Sequence, residues 1–274
     1  MTTLVIGARG SIGRAVLERL VAAGEPVRAS LRDPAKADFP AGVPVVAADL
    51  GRAETLRAAL DGVRKVFLYA PASGADAFIE AAREAGVEQV VLLSSGSVLL
   101  PGAEGNAIAE EHRAVERAFA GSGLRWTPIR PLVLAGNALN WAASIRAEGV
   151  ARLFRPDAVT APVHEHDIAA VAVAALAGKA GTAGILTGPG RLSHQRQVEL
   201  VGRAIGREIR IEELTADQAR RRFGPSPTVD AVLELTEAAA AGGSPATCTV
   251  EQVLGRPGRP FARWARDHAA DFRG

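Results

Sequence analysis

The run Gly7-Ala8-Arg9-Gly10-Ser11-Ile12-Gly13 follows the apolar stretch Thr3-Leu4-Val5-Ile6 and leads into Arg14-Ala15-Val16-Leu17-Glu18-Arg19-Leu20, which has helical spacing. Strand, glycine turn and helix in that order make an anion site. Glycine at Gly7, Gly10 and Gly13 permits positive φ and close approach of backbone to a ligand, and the helix N-terminus presents free N–H groups and a partial positive charge to a pyrophosphate. Arg9, Ser11 and Ile12 complete the turn, whose expected ligand is a dinucleotide; a plain tight β–α turn is the other reading. The second expected strand ends in Val27-Arg28-Ala29-Ser30-Leu31-Arg32-Asp33-Pro34, with Arg32 where a site for NAD usually holds an acid. A guanidinium there can meet a 2′-phosphate through two bonds and Arg9 can add charge, so NADP(H) is expected rather than NAD(H). Arg32 otherwise reads as a solvated surface arginine, and Asp33 as a cap for the next turn. Asp49-Leu50 follows the third strand, where Asp49 either accepts from an adenine amino group or caps the helix beginning near Arg52.

Groups that move protons are few. Tyr69 is the only tyrosine and lysine occurs only at Lys36, Lys65 and Lys179, so no mechanism needing Lys four residues after Tyr is available. Ser94, Ser95 and Ser97 follow the fifth strand; their hydroxyls could hydrogen-bond a substrate carbonyl, or end the strand and hold a turn. His112 titrates in the range of an acid or base at neutral pH, so it could donate a proton to substrate, bond the nicotinamide ribose, or simply pair with Glu111 or Glu116 on the helix surface. Asn137 and Trp141 stand one turn apart, with Leu134 before them and Phe154 nearby in sequence; they wall a pocket for an aromatic or polyketide-like substrate, or they pack in the core. His164-Glu165-His166 lacks the spacing of a zinc helix and reads as a loop, so no metal site is expected.

These residues need a scaffold, and the hydrophobic pattern supplies one. Strands are expected near 3–7, 27–31, 43–47, 65–69, 89–94 and 125–129, and helices near 11–23, 52–60, 74–85 and 106–121. Runs such as Val90-Val91-Leu92-Leu93 demand burial on both faces, which points to an α/β fold with a doubly wound parallel sheet. The expected organisation is a dinucleotide-binding domain over residues 1–131 and a smaller, mostly helical substrate-binding region over 132–274 that partly returns to the sheet. In that region the pattern predicts a helix over 136–147, a loop through Pro156 and Pro162, a helix capped by Asp167, a strand near 184–186 and a helix capped by Ser193. Gly242-Gly243-Ser244-Pro245 is a chain breaker that leaves Cys248 in a loop or turn between late helices.

Composition narrows the class. The chain has 274 residues, and 48% hydrophobic against 23% charged residues excludes disorder. Thirty-two basic and thirty acidic residues give +2 with no basic block, so nucleic acid is not an expected partner. The lone Cys248 excludes an intramolecular disulfide and a CxxC pair; with no signal-peptide pattern before Thr3, a reducing cytoplasm is expected. The most apolar helical stretch, residues 168–177, is too short to span a bilayer, so no membrane partner is expected. Oligomeric state is not legible.

Several runs together resemble the NmrA-like, atypical short-chain dehydrogenase/reductase family over most of the chain. They are the glycine turn, the Val27–Pro34 segment, Leu92-Leu93-Ser94-Ser95, Glu110-Glu111-His112-Arg113-Ala114-Val115-Glu116, and Ser122 through Pro131 (Ser-Gly-Leu-Arg-Trp-Thr-Pro-Ile-Arg-Pro). Ala161 through Ala169 (Ala-Pro-Val-His-Glu-His-Asp-Ile-Ala) and Leu186-Thr187-Gly188-Pro189 are similar to the family's second half. The resemblance implies a Rossmann-type sheet binding NAD(P) at its carboxyl edge, with backbone contacts from Ala70-Pro71 and from the Pro131–Val133 turn near the nicotinamide. It breaks at the superfamily's Tyr-x-x-x-Lys relay, whose positions correspond here to Ile108 and His112. The expectation is therefore an NADPH-dependent reductase of a conjugated carbonyl, quinone or imine, with a non-catalytic NADP(H) sensor or a non-redox tailoring enzyme as alternatives. An apolar cavity beside the nicotinamide would favour the enzyme.

Overall fold

The computed structural model describes residues 1–179 and 184–273. Its aliphatic runs form β1 (Thr2–Val5), β2 (Val27–Leu31), β3 (Val45–Ala47), β4 (Val63–Leu68), β5 (Gln89–Leu93) and β6 (Trp126–Pro131), separated by α1 (Ser11–Ala22), α2 (Ala53–Leu60), α3 (Ala72–Glu84) and α4 (Ala107–Ala120). A 3₁₀ segment, Ala135–Trp141, then leads into α5 (Ala142–Glu148), β7 (Val150–Phe154), β8 (Val159–Thr160), α6 (Glu165–Leu176) and β9 (Ile185–Leu186). The remainder is β10 (Leu192–Ser193), α7 (His194–Ile205), β11 (Arg210–Leu214), α8 (Ala216–Phe223), α9 (Pro227–Ala240), α10 (Thr249–Leu254), α11 (Phe261–Asp267) and α12 (Ala269–Phe272).

Seven strands make one parallel sheet in the order β3-β2-β1-β4-β5-β6-β9. Because the order reverses between β1 and β4, the connecting chains leave in opposite directions and a crevice opens beyond the carboxyl ends of those two strands. One face packs Val5 and Phe67 against Val16, Leu17 and Leu20 of α1 and Ile168, Val171 and Ala172 of α6. The other packs Leu4, Val66 and Val90 against Leu56, Leu60, Phe78, Val115 and Phe119 of α2, α3 and α4. The expected doubly wound sheet is therefore present. The chain beyond residue 131 returns to it through α6 and β9, while Trp141, Ile145, Leu153, Val201, Trp264 and Phe272 build a separate core between α5, β7, α7, α11 and α12.

The second half departs from the helical pattern expected of it. β7 pairs in parallel with β11, and β8 pairs antiparallel with β10. Neither pair leaves a local signal, since the partners of β7 lie about 60 residues later and β8 and β10 are two residues each. The expected helix over 136–147 is a tighter 3₁₀ segment followed by α5. Asp167 does not cap α6: the cap is His164, whose Nδ1 accepts from the His166 N–H at 3.2 Å. Asp167 is instead 1% exposed and receives the guanidinium groups of Arg256 and Arg259, which a surface-type capping pattern cannot reveal. Ser193 does cap α7, accepting from the Arg196 N–H at 3.0 Å.

Candidate active site

The glycine turn lies at the crevice. Gly7 has φ +89°, and a Cβ built on Gly13 would come within 2.7 Å of the Gly7 carbonyl carbon, so α1 can start this close to β1 only with glycine there. Gly10 caps α1 without any side-chain hydrogen bond, and the helix carries no acid in its first turn. Its leading N–H groups thus remain available to an anion. Gly7, Arg9, Gly10 and Ser11 are exposed, whereas Ile12 and Gly13 are buried, Ile12 in the core beneath the turn. Arg32 is exposed at the end of β2, and neither it nor Arg9 has a hydrogen-bond or ion-pair partner among the described residues. This cradle fits a dinucleotide with an additional phosphate on its adenosine ribose.

Neighbouring carboxylates are already committed. Asp33 accepts from the Ala35 N–H at 3.1 Å, and Asp49 Oδ1 from the Gly51 N–H at 3.0 Å. Leu50 packs on α3, where a Cβ on Gly74 would lie 2.7 Å from its own Cβ. Pro71 stands exposed before α3, and buried Ala70 precedes it. Tyr69, absent from every sequence-level expectation of the site, projects 53% exposed beside Gly7.

The carboxyl edge of β5 and β6 is held by a half-buried ionic knot. Glu116 of α4 accepts from Ser94 Oγ at 2.6 Å and from Arg130 Nε and Nη2 at 2.8 and 2.6 Å. Ser94 is therefore fixed to α4. Ser95 lies 2.8 Å, oxygen to oxygen, from Ser97 and also accepts from the Ser97 N–H at 3.2 Å. Ser97 is 1% exposed with Ser95 as its only hydroxyl partner among the described residues, so burial is best satisfied when Ser97 donates to Ser95. Both acceptor sites on Ser95 Oγ are then filled, and its proton is left to point away.

Ser95 lines a cavity of about 370 Å³. Leu134, Asn137, Trp141 and Phe154 line it too, as does Val133 from the turn after β6; Pro131 is buried behind that turn. Ser97 does not reach the cavity and acts on it only through Ser95. The wall also contains Leu132 of the expected turn, together with Ile108, Thr160, His194, Gln197, Ser244 and one face of α9, including Val229, Val232 and Thr236, and none of this second group was assigned to a pocket by sequence reasoning. Asn106 joins these distant parts: it caps α4 through Oδ1 and donates from Nδ2 to Ala231 O and Glu234 Oε2 of α9 at 3.0 and 2.9 Å. A second depression of about 710 Å³ shares only Phe154 and Leu233 with the cavity and is walled by paired charges such as Arg220–Asp230.

His112 lies one turn beyond Ile108 on α4, half-buried and outside the cavity wall. Burial lowers its pKa, with Glu111 and Glu116 opposing, so the imidazole is neutral at physiological pH. Burial likewise lowers the pKa of His194, against the pull of the Phe154 and Arg155 carbonyls. Glu165 is ion-paired to His268 at 2.7 Å, and no group of residues among those described has the makings of a metal site. Nor is any helix among the described residues long and apolar enough to cross a membrane.

A family model described as NAD(P)H-binding matches residues 7–179. The chain is 39% identical over 279 residues to a (4-alkanoyl-5-oxo-2,5-dihydrofuran-3-yl)methyl phosphate reductase of Streptomyces griseus, covering 98% of each. It is 35% identical over 286 residues to an NAD(P)H azoreductase of Xenophilus azovorans, again covering 98% of each. The crystal structure of an NADPH-dependent quinone oxidoreductase from Escherichia coli matches with a TM-score of 0.79 and 26% identity, over 97% of this chain and 99% of that one.

Proposed function

The chain belongs to the NAD(P)H-binding family and is an NAD(P)H-dependent oxidoreductase, and from that premise we propose that it uses NADPH to reduce an electron-poor double bond in a conjugated carbonyl, quinone or imine. The observation that carries this reading is the cavity in which Ser95 presents a hydroxyl while Ile108 occupies the place where an alcohol-type relay needs a proton donor. A bound NADPH supplies the hydride. The glycine turn and α1 hold the pyrophosphate, Arg32 with Arg9 favours the 2′-phosphate, and the Pro131–Val133 turn with Ala70-Pro71 meets the nicotinamide half. Ser95 donates a hydrogen bond to the acceptor's oxygen or nitrogen, whose negative charge grows as the double bond receives hydride, and water delivers the second hydrogen as a proton. Acceptors that delocalise this charge need no stronger acid nearby, which accounts for a site with isoleucine at position 108. His112 lies outside the cavity wall, so on this reading it bonds the nicotinamide ribose rather than the acceptor.

The relatives' names support the class: one is named for an unsaturated lactone phosphate, another for azo compounds. A cavity of this size also favours turnover over the sensor reading, which has no use for one. The test is NADPH consumption with a panel of quinones, enones, imines and saturated ketones. Enones or quinones should be reduced far faster than saturated ketones; equal rates with saturated ketones would overturn the reading.

A further inference from the structure

Ser244 belongs to the Gly242-Gly243-Ser244-Pro245 breaker between α9 and α10 and lines the cavity from the side of α9. It is 6% exposed, and its hydroxyl has no hydrogen-bond partner among the described residues. Buried hydroxyls are normally paired, so one left single in a cavity wall is a place where a ligand can supply the missing partner. Its position is imposed by the chain: the Gly243 N–H donates to Ala238 O at 2.7 Å, and a Cβ on residue 243 would come within 2.9 Å of that oxygen, so the loop is clamped to the end of α9. The surroundings are apolar, with Val232, Leu235 and Ala239 in the same wall. The charged groups nearby are spent. Arg152 pairs with both Glu148 and Glu212, and half-buried His194, its pKa lowered by desolvation, is neutral at physiological pH.

Resting on the reductase reading, we propose that Ser244 is a specificity-determining residue whose hydroxyl donates to an oxygen of the acceptor remote from its reacting double bond. The cavity then takes uncharged conjugated molecules with two separated hydrogen-bond acceptors, one for Ser95 and one for Ser244, and disfavours phosphate esters, which find no unpaired cation in its wall among the described residues.

The test compares benzylideneacetone, its para-acetyl derivative and its para-phosphate ester on wild-type enzyme, S244A and S244C with NADPH. Because each acceptor is compared with itself across variants, electronic differences between acceptors cancel. S244A should lose roughly tenfold in kcat/KM for the acetyl compound, chiefly through KM, and nothing for the parent, with S244C between. Its Tm should not fall, since no hydrogen bond inside the protein is lost. Equal losses on both neutral acceptors, no loss on either, a lowered Tm, or a phosphate ester used as well as the acetyl compound would overturn the proposal. If neither neutral compound is reduced, calorimetric titration into the enzyme–NADP⁺ complex decides separately. An acetyl preference that S244A abolishes sustains Ser244 while the reductase reading fails; absence of any such preference overturns Ser244 as well.

Discussion

The crevice beyond β1 and β4 and the cavity beside Ser95 are neighbours made in different ways. The crevice comes from short continuous segments, with a helix start that no side chain caps, two arginines without a partner among the described residues, and a glycine that no other residue can replace. The cavity draws on the β5 loop, α4, the turn after β6, β7, α7, α9 and the Ser244 loop, and several of its polar groups are engaged within the protein, Gln197 with Thr160 and Ser95 with Ser97. One region is a preformed receptor for charge; the other is an apolar volume with a few directed hydroxyls. Substitutions in the first should therefore change cofactor affinity, and substitutions in the second should change turnover of the acceptor.

The largest expected break in that division is Ser95→Ala. Loss of a donor aimed at developing charge should lower kcat by roughly 100- to 1000-fold while the calorimetric Kd for NADPH stays within about twofold. A matching loss of NADPH affinity would erase the distinction between the regions. Next is Gly13→Ala, which drives a methyl group into the Gly7 carbonyl. It should weaken NADPH roughly a hundredfold and lower Tm by about 5 °C. Full NADPH affinity in that variant would show that the turn is not the cradle. Arg32→Ala should cost roughly ten- to hundredfold in NADPH affinity and leave NADH almost unchanged, because only the 2′-phosphate loses its partner. Equal losses for the two cofactors, by calorimetry, would place Arg32 outside the site.

The smallest effect concerns pH. Burial lowers the pKa of His194 in the cavity wall. A lowered folded value means that the unfolded chain binds the proton more readily, so this contribution to stability is present above about pH 6.5 and is lost as pH falls through the folded value. His112 and His166 add in the same direction. His268, raised chiefly by its bond to Glu165, opposes them: its contribution is present below the ordinary histidine range and disappears as pH rises through its folded value. His194→Gln should therefore lose less Tm than wild type between about pH 7 and pH 5, with NADPH affinity at neutral pH unchanged. Parallel Tm curves would mean that the imidazole is not held neutral by burial.

The same contrast explains what could be read from the sequence. Gly7, Gly10 and Gly13 stand between an aliphatic run and a helical pattern, and Arg32 and Asp33 directly follow β2, so local physics reaches them and the sheet that carries them. Local patterns do not reach Ser244, which a glycine-rich breaker marks only as a turn, nor His194, which reads simply as the first residue of a capped helix. The β7–β11 pairing escapes because each strand acquires its partner only in the folded chain. Asp167 shows the limit in another form: the residue suits a helix cap, yet two arginines from beyond residue 250 claim it. Of the pocket residues, Leu134, Asn137 and Trp141 are legible because they follow directly on β6, where the sheet's carboxyl edge must face the ligand, while Phe154 at the end of β7 is an aromatic residue close after them in sequence.

The central claim is that the two regions cooperate in hydride transfer to a conjugated acceptor, and isotope transfer tests it most directly. The enzyme is incubated separately with NADPH deuterated on each face of C4, with enones, quinones and imines as acceptors, and the product is analysed by mass spectrometry. The account predicts deuterium in the reduced product from one face only, with transfer strongly diminished in Ser95→Ala. Tight NADPH binding with no label in any product, or equal labelling from both faces, would contradict it.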